Sequence, residues 1–278
     1  MKIVAHILCT VLLLGCGNQD RASEQPEAPI PSRTNKTAVT KPSKTMKTIH
    51  VFVALCDNKS QGIVPVPDKL GNGDDPKNNL YWGAMYGTKS FLKKSTSWSY
   101  LGERKIASND IIERIVFKHA KKDVYLVADA YRGAVIKVAI TDFLRAAGGN
   151  DTAILKVDEE ILGLNGYADL VVYVGHNGLM DIDIELQQRA AESSKKDAMI
   201  LACKSEPYFR TRLTALGSKS VLLTTGFMAP EAYTLDVAVC AWIVGESSET
   251  IKECAAAAYN KYQKCGMTGA RRLFYSEQ

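Results

Sequence analysis

The chain has 278 residues, 46% of them hydrophobic and 23% charged, which is enough for one sizeable domain or at most two small ones. Six basic and three acidic residues lie within 17–48 and Lys2 adds one more positive charge, so residues 49–278 keep only +1 of the net charge of +5. This balance excludes the basic excess expected of a nucleic-acid-binding domain. None of the seven cysteines forms a Cys-x-x-Cys pair, so we expect neither a metal site nor a cofactor.

The first residues have the form of a secretory signal. Lys2 precedes an apolar run that is too short to span a bilayer. The run ends in Leu13-Leu14-Gly15-Cys16, which resembles a bacterial lipobox and implies that residues 1–15 are removed and Cys16 is lipidated. The next residue is not Asp, which in a Gram-negative cell implies an outer-membrane lipoprotein facing the periplasm or the cell surface. An ordinary signal peptide with an incidental cysteine is the alternative.

Residues 16–48 read as a disordered tether that begins at the lipidated cysteine. The segment is rich in Pro, Ser, Thr and Lys and has no apolar period, so it buries too little surface to offset the entropy of ordering. Its positive charge favours contact with an anionic lipid surface. The remaining residues, 49–278, are expected to form a single domain.

Within this domain, short apolar runs alternate with longer helical patterns. The predicted strands are 50–55, 123–129, 169–174, 197–202 and 219–225. The predicted helices are 80–94, 108–122, 134–149, 181–196, 206–217 and two more in 235–266. Nearly continuous hydrophobicity in the strands predicts an α/β fold, a three-layer sandwich with a mostly parallel sheet covered by helices on both faces.

Polar residues follow several of these strands at the point where each one ends. They include Asp57, Asp129, His176 and Cys203. In such folds the carboxyl ends of the strands carry the functional sites. Ser205 is predicted to cap the helix that follows Cys203, which places the thiol beside the positive end of a helix and favours the thiolate. An imidazole and a thiol are the groups that cysteine nucleophile chemistry needs.

The segments "VVYVGHNG" and "AMILAC" resemble the caspase-like cysteine peptidases, the group of caspases, legumains and gingipains. The resemblance implies a catalytic dyad of Cys203 and His176 at adjacent strand ends. It also implies that the oxyanion is held by the backbone amide of Cys203 and that of Asn177 or Gly178. The family usually has Gly directly after the His, whereas Asn177 intervenes here. The alternative for both dyad residues is a structural one, a histidine in a tight turn and a small buried thiol.

Three acidic residues are candidates for substrate binding. In Arg- or Lys-specific relatives acidic residues line a pocket for a basic side chain, and the resemblance implies this role for Asp57 or Asp129. Glu231 lies in the loop after strand 219–225, which in the family helps to form the substrate cleft. The alternative is that the two aspartates cap the turns that follow them.

Other features are open to more than one interpretation. Residues 71–79 form a polar loop that is a candidate substrate flap. Asp181 and Asp183 are weak candidates for calcium ligands. Disulfides among Cys240, Cys254 and Cys265 are possible but cannot be assigned from the sequence.

The sequence thus predicts a lipid-anchored, extracytoplasmic cysteine hydrolase, a caspase-like endopeptidase that acts on a peptide or protein substrate. The main alternative is a lipoprotein that kept the fold, lost catalysis and binds a peptide or small molecule in the same cleft. A third possibility is an interaction or scaffold lipoprotein. A thiol that reacts fast and selectively would separate the first from the other two.

Overall fold

The computed structural model describes Pro42 and residues 45–185, 187–191 and 194–277. The predicted signal peptide, Cys16 and most of the predicted tether lie outside these residues. Within the described part, no helix is both long and apolar enough to cross a membrane.

An eight-stranded sheet forms the centre of the domain. Its strands, in the order β10-β9-β8-β7-β1-β4-β3-β2, include five parallel neighbours, β9-β8-β7-β1-β4, with β10, β3 and β2 antiparallel at the two ends. A separate hairpin is formed by β5 and β6. The strands are β1 (Lys47–Ala54), β2 (Trp98–Arg104), β3 (Ile111–His119), β4 (Val124–Tyr131), β5 (Ala153–Val157), β6 (Glu160–Leu164), β7 (Leu170–Val174), β8 (Asp197–Leu201), β9 (Lys219–Thr224) and β10 (Phe274–Tyr275).

Helices cover both faces of this sheet. They are α1 (Thr88–Leu92), α2 (Ile136–Ala147), α3 (Ser205–Ala215), α4 (Ala232–Ile243), α5 (Ser248–Gln263) and α6 (Met267–Leu273). One core cluster joins the sheet to α4 and α5, and a second joins the opposite face to α2 and α3. The expected α/β sandwich with a mostly parallel sheet is therefore present.

The central strands are buried because both of their faces are covered. All five residues of β7 are buried, as are seven of the eight in β1. Alternate residues along β1 belong to opposite clusters, with Val51 and Val53 facing α4 and α5 and Phe52 facing α2. This two-sided burial explains why the runs read as continuously apolar.

Residues 80–94 form a helix only over α1, so the prediction of a long helix there is wrong. Gly83 and Gly87 pack directly on backbone: an added Cβ would lie 2.1 Å from the Lys77 carbonyl oxygen in one case and 2.5 Å from the Trp82 backbone in the other. The chain from Asn79 to Gly87 makes successive turns instead.

The polar loop 71–79 is held in place at its end. The Asn79 side chain bonds both the amide and the carbonyl of Cys56, at 3.0 and 2.8 Å.

Residues 108–122 contain β3, so the predicted helix there is also wrong. Ile115, Val116 and Phe117 are fully buried between the pairing strands β2 and β4. A short apolar run of this kind fits a helix as well as a strand. The β-branched and aromatic side chains favour the strand when neighbouring strands are available for pairing.

The helix predicted at 181–196 does not form in the described residues of that segment. Its backbone bonds to neighbouring elements instead: the Ile184 carbonyl accepts from Arg212 at 2.6 Å and the Ala190 amide donates to the Gly148 carbonyl at 2.8 Å. The segment therefore lies across the ends of α2 and α3.

Candidate active site

The carboxyl ends of β7 and β8 lie side by side at one edge of the sheet. Val174 pairs with Leu201 in parallel register, and the Gly175 amide donates to the Leu201 carbonyl at 3.2 Å. His176 and Cys203 follow these ends and leave the sheet at neighbouring positions. The prediction that the two strands are parallel neighbours is confirmed.

Two glycines frame His176 for structural reasons. Gly175 has a φ of 148°, and a Cβ there would lie 2.9 Å from the Ala54 carbonyl oxygen of β1. A Cβ on Gly178 would lie 2.9 Å from Ile140 in α2. The glycines thus allow the turn to pack between β1 and α2, and they do not by themselves indicate a substrate.

Asn177 links the two strand ends through its side chain. This side chain is fully buried, its Nδ2 donates to the Cys203 carbonyl at 2.8 Å and its Oδ1 accepts from the Leu179 amide at 3.2 Å. The turn that carries His176 is therefore fixed relative to Cys203. Sequence reasoning considered only the backbone amide of this residue.

His176 is held by a carboxylate that sequence reasoning did not connect to it. Its Nε2 lies 2.5 Å from Oδ2 of Asp181, five residues later, and the imidazole side chain is only 10% exposed. The Tyr173 hydroxyl donates to the His176 carbonyl at 2.8 Å and fixes the backbone. Among the described residues, Nδ1 of the ring has no hydrogen-bond partner, so this nitrogen is free for proton transfer.

The Cys203 thiol lies against the loop that follows β9. Its Sγ accepts from the Met228 amide at 3.3 Å and lies 3.4 Å from the Met228 carbonyl oxygen. The residue is partly buried. The Met228 backbone therefore meets the sulfur with both a donor and an acceptor.

The helix after Cys203 begins differently from the prediction. The cap position is Lys204, which is left-handed with a φ of 47°, and Ser205 is the first residue of α3. Ser205 is fully buried, and its hydroxyl bonds to the Ile200 carbonyl at 3.2 Å and to Thr224 rather than to the helix amides. Cys203 lies two residues before the first residue of α3, as the sequence predicts.

No hydrogen bond joins the His176 ring to the Cys203 thiol in the described part of the chain. The ring is paired with Asp181 and the thiol with the backbone of Met228. Adjacent strands lie about 5 Å apart, so the two residues start from neighbouring backbones. Catalytic pairs often tighten only when a substrate is bound.

Cys56 and Cys240 are two further thiols, one buried and one partly buried, whose pKa values are raised. Burial raises the pKa of Cys56 to about 11, against a hydrogen bond from Tyr81 that lowers it. Burial also raises the pKa of Cys240 to about 11, with a further contribution from the charge of Asp236. Both groups remain protonated thiols at neutral pH. All five cysteines from Cys56 onward are free, so the disulfides left open by the sequence are absent among the described residues.

The predicted oxyanion donors are not equivalent. The Gly178 amide donates to the His176 carbonyl at 3.1 Å and is therefore engaged. The amides of Asn177 and Cys203 donate no hydrogen bond within the described part of the chain. Of the two alternatives after the histidine, only Asn177 keeps a free amide.

Asp57 lines a cavity of about 310 Å³ within the loop that follows β1, residues 57–74. Its Oδ1 accepts from the amides of Lys59 and Ser60 at 2.7 and 3.1 Å, so it also caps the turn. Asp68 and Asp74 add two further carboxylates to the lining, which includes neither His176 nor Cys203.

The structure corrects the prediction for Asp129. β4 continues to Tyr131, so Asp129 lies inside the strand and is fully buried. It accepts two bonds of 2.6 Å from Arg114 and one of 3.0 Å from His50. Its carboxylate is hydrogen-bonded to these partners and is not accessible to a substrate.

Glu231 immediately precedes α4 and is partly buried. Its Oε2 accepts from Gln263 at 3.1 Å.

The calcium candidate Asp183 is exposed and lies 3.4 Å from Arg212. Within the described residues, no group of three or more His, Cys, Asp or Glu side chains could hold a metal ion.

The sequence and the fold were compared with known proteins. No family model, no curated protein and no solved structure matches the chain.

Proposed function

We propose that the domain is a cysteine peptidase of the caspase-like type, with Cys203 as nucleophile and His176 as the proton-transfer residue. The observation that carries this proposal is the placement of the two residues, in this chain order, on the ends of neighbouring parallel strands. The same relation holds in the peptidases that the sequence resembles. The helix-covered sheet supports the assignment, and the substrate is a peptide or protein.

The reaction proceeds by acyl transfer. The Cys203 thiolate attacks the scissile carbonyl carbon, a C–S bond forms, and the carbonyl electron pair moves to oxygen. As the C–N bond breaks, His176 gives a proton to the leaving nitrogen. His176 then accepts a proton from a water that attacks the thioester, and the C–S bond breaks to return the thiolate.

Backbone and side-chain groups around the pair support these steps. The free amides of Asn177 and Cys203 are the proposed oxyanion donors. Asp181 holds Nε2 of the imidazole, which leaves Nδ1 to exchange the proton with sulfur and substrate. The arrangement follows the general logic of a nucleophile, a base and a group that orients the base.

Asp57 is the proposed acceptor of a basic substrate side chain outside the two positions that flank the reacting bond, because its cavity includes neither His176 nor Cys203. Among the described residues its Oδ2 has no hydrogen-bond partner, and its cavity is lined by Asp57, Asp68, Asp74 and Lys59, of which Asp74 is ion-paired with Arg132. Glu231 lies in the loop that contacts Cys203 and is a proposed second contact. The protein is further proposed to be anchored through Cys16 to a membrane, facing the periplasm or the cell surface.

Thiol reactivity tests the proposal. Limited alkylation of the full chain with iodoacetamide at neutral pH, read by mass spectrometry, should label Cys203 faster than Cys56, Cys240 and Cys254. The exposed Cys265 gives the rate of an ordinary accessible thiol. His176→Ala should slow labelling of Cys203 several-fold, whereas His119→Ala, at the end of β3, should not. Cys203→Ala should abolish cleavage of an unfolded protein substrate, whereas Cys265→Ala should not.

A binding module is the second candidate function. It is favoured by one observation, the separate hydrogen-bond partners of His176 and Cys203. A Cys203 labelled no faster than Cys265, together with the absence of cleavage, would support this candidate and contradict the peptidase.

A further inference from the structure

Three side chains are the most exposed large apolar ones of the described residues. They are Val64, Phe227 and Met85, exposed by 88%, 68% and 61%. All three lie in loops that follow the carboxyl ends of β1 and β9. Single exposed apolar residues need no explanation, so their placement relative to the site decides whether they have a role.

Phe227 lies beside the proposed nucleophile. The residue before it, Gly226, accepts a hydrogen bond from the Lys204 amide at 2.7 Å, and the residue after it, Met228, contacts the Cys203 sulfur. The aromatic ring is thus fixed one residue from the thiol contact. The Lys204 ammonium lies 4.5 Å from the ring centroid and covers one part of the ring.

Val64 lies in the loop that approaches Asp181, the residue that holds the proposed base. A Cβ on Gly62, two residues earlier, would lie 3.5 Å from the carboxylate of Asp181, which holds His176. The Asn58 side chain fixes the two ends of this loop to each other, because it bonds both the amide and the carbonyl of Val66, at 3.0 and 2.7 Å. The loop therefore presents Val64 on a tied backbone.

We propose that the site takes a polypeptide that carries bulky apolar side chains on both sides of the bond that reacts. Phe227 contacts the side chain next to Cys203, and Val64 contacts the side chain next to His176. Contact removes apolar surface from water on both partners, which favours binding. This inference rests on the proposed function for the location of the site and adds the class of substrate.

A matched peptide set tests the inference. Synthetic peptides carry either Leu and Phe or Ser and Gln at the positions that flank each potential cleavage bond. Wild-type full-length protein should cleave the apolar set with a higher kcat/KM. Phe227→Ser and Val64→Ser should each lower that kcat/KM about ten-fold, the usual effect of one apolar contact, with little change for the polar set.

Val244→Ser is the matched control, because Val244 is 58% exposed but lies at the end of α4, in no loop that contacts Cys203 or Asp181. Thermal unfolding confirms that each variant is folded. Equal losses for both peptide sets, or an equal effect of Val244→Ser, overturn the inference while cleavage itself still supports the peptidase.

Binding separates the two proposals. Affinity of the same peptides for the Cys203→Ala variant is measured by calorimetry with and without Phe227→Ser. If no peptide is cleaved by the wild type but the apolar set binds and Phe227→Ser weakens that binding about ten-fold, the inference stands and the peptidase fails. If peptides are neither cleaved nor bound, both are overturned.

Discussion

His176 and Cys203 were recognisable in the sequence because each follows an apolar run that forms a strand, and carboxyl strand ends are where such folds place their sites. The partner of the imidazole was not recognisable. Asp181 reaches His176 only because the three-residue 3-10 helix Gly178–Met180 turns the chain back on itself. A His-x4-Asp spacing is too common to indicate such a pair without that turn.

We expect Asp181→Ala to lower kcat about 100-fold with KM nearly unchanged. The carboxylate orients the imidazole for proton transfer, which matters in the transition state more than in substrate binding. Steady-state kinetics on the best peptide measures both constants. Asp181→Asn should recover part of the loss, because the amide oxygen still accepts the ring N–H.

Asp183→Ala is the control for this variant, since Asp183 has a side chain that is 96% exposed and an ion pair to Arg212 at 3.4 Å. Its kcat should stay within about two-fold of the wild type. A role of Asp181 confined to stability would lower thermal stability and leave kcat of the folded enzyme unchanged, and that result contradicts the prediction.

The strands of the parallel core were predictable because burial on both faces leaves a local signal, a continuous apolar run. β1, β7, β8 and β9 lie within one to three residues of their predicted limits. Helix α2 was predictable from an apolar period closed by Gly148. Strand β3 was not predictable, because its apolar residues fit both the helical and the strand period. Only pairing with β2 and β4 selects the strand.

Asp129 shows how a residue can be found in the sequence and assigned the wrong role. The predicted strand 123–129 placed Asp129 at its carboxyl end. Pairing with β3 extends the strand past it and places Arg114 beside the carboxylate. No local pattern contains that contact, since the two residues are brought together by register.

We expect Asp129→Asn to destabilise the domain by about 3–5 kcal/mol at pH 7, because it leaves the partly buried Arg114 guanidinium without its counter-charge. Burial acts to raise the pKa of the Asp129 carboxyl, but the hydrogen bonds and charges of Arg114 and His50 outweigh it and hold the pKa below its ordinary value. At a pH near the ordinary pKa of an aspartate, the native state therefore binds fewer protons than the unfolded chain. The resulting stability is fully present above about pH 4 and is lost as the pH falls through the native pKa.

Urea unfolding at pH 7, 5 and 3 measures this effect. The difference in unfolding free energy between wild type and Asp129→Asn should be constant from pH 7 to 5 and smaller at pH 3. Asp123→Asn, which removes an exposed ion pair to Lys118 of 3.6 Å, should change stability by less than about 1 kcal/mol. A free-energy difference between wild type and Asp129→Asn that grows toward pH 3 would falsify the assignment of a depressed pKa to Asp129.

The amino terminus of the sheet and the candidate site lie at opposite ends of the parallel strands. The chain enters β1 at Lys47, in the centre of the sheet and at the amino ends of its parallel strands. The candidate site and its apolar loops lie at the opposite, carboxyl ends. An eight-residue strand is about 26 Å long, so a tether joined before Lys47 attaches at the end of the sheet away from the site. This polarity suits a domain that is held at a membrane and acts on material away from it.

We expect Cys16→Ser to move the protein from the membrane fraction to the soluble fraction. A multiply acylated cysteine anchors stably, whereas the basic residues that precede β1 hold a protein only weakly and in a salt-dependent way. Fractionation in low and high salt, followed by immunoblotting, measures the change. Cys9→Ser is the matched control, because Cys9 belongs to the segment that the lipobox reading removes, and it should stay on the membrane. The Cys203 labelling rate should be the same in both variants, since the site is built from residues after β1. Retention of Cys16→Ser on membranes in high salt contradicts the lipid anchor and leaves the site proposals unaffected.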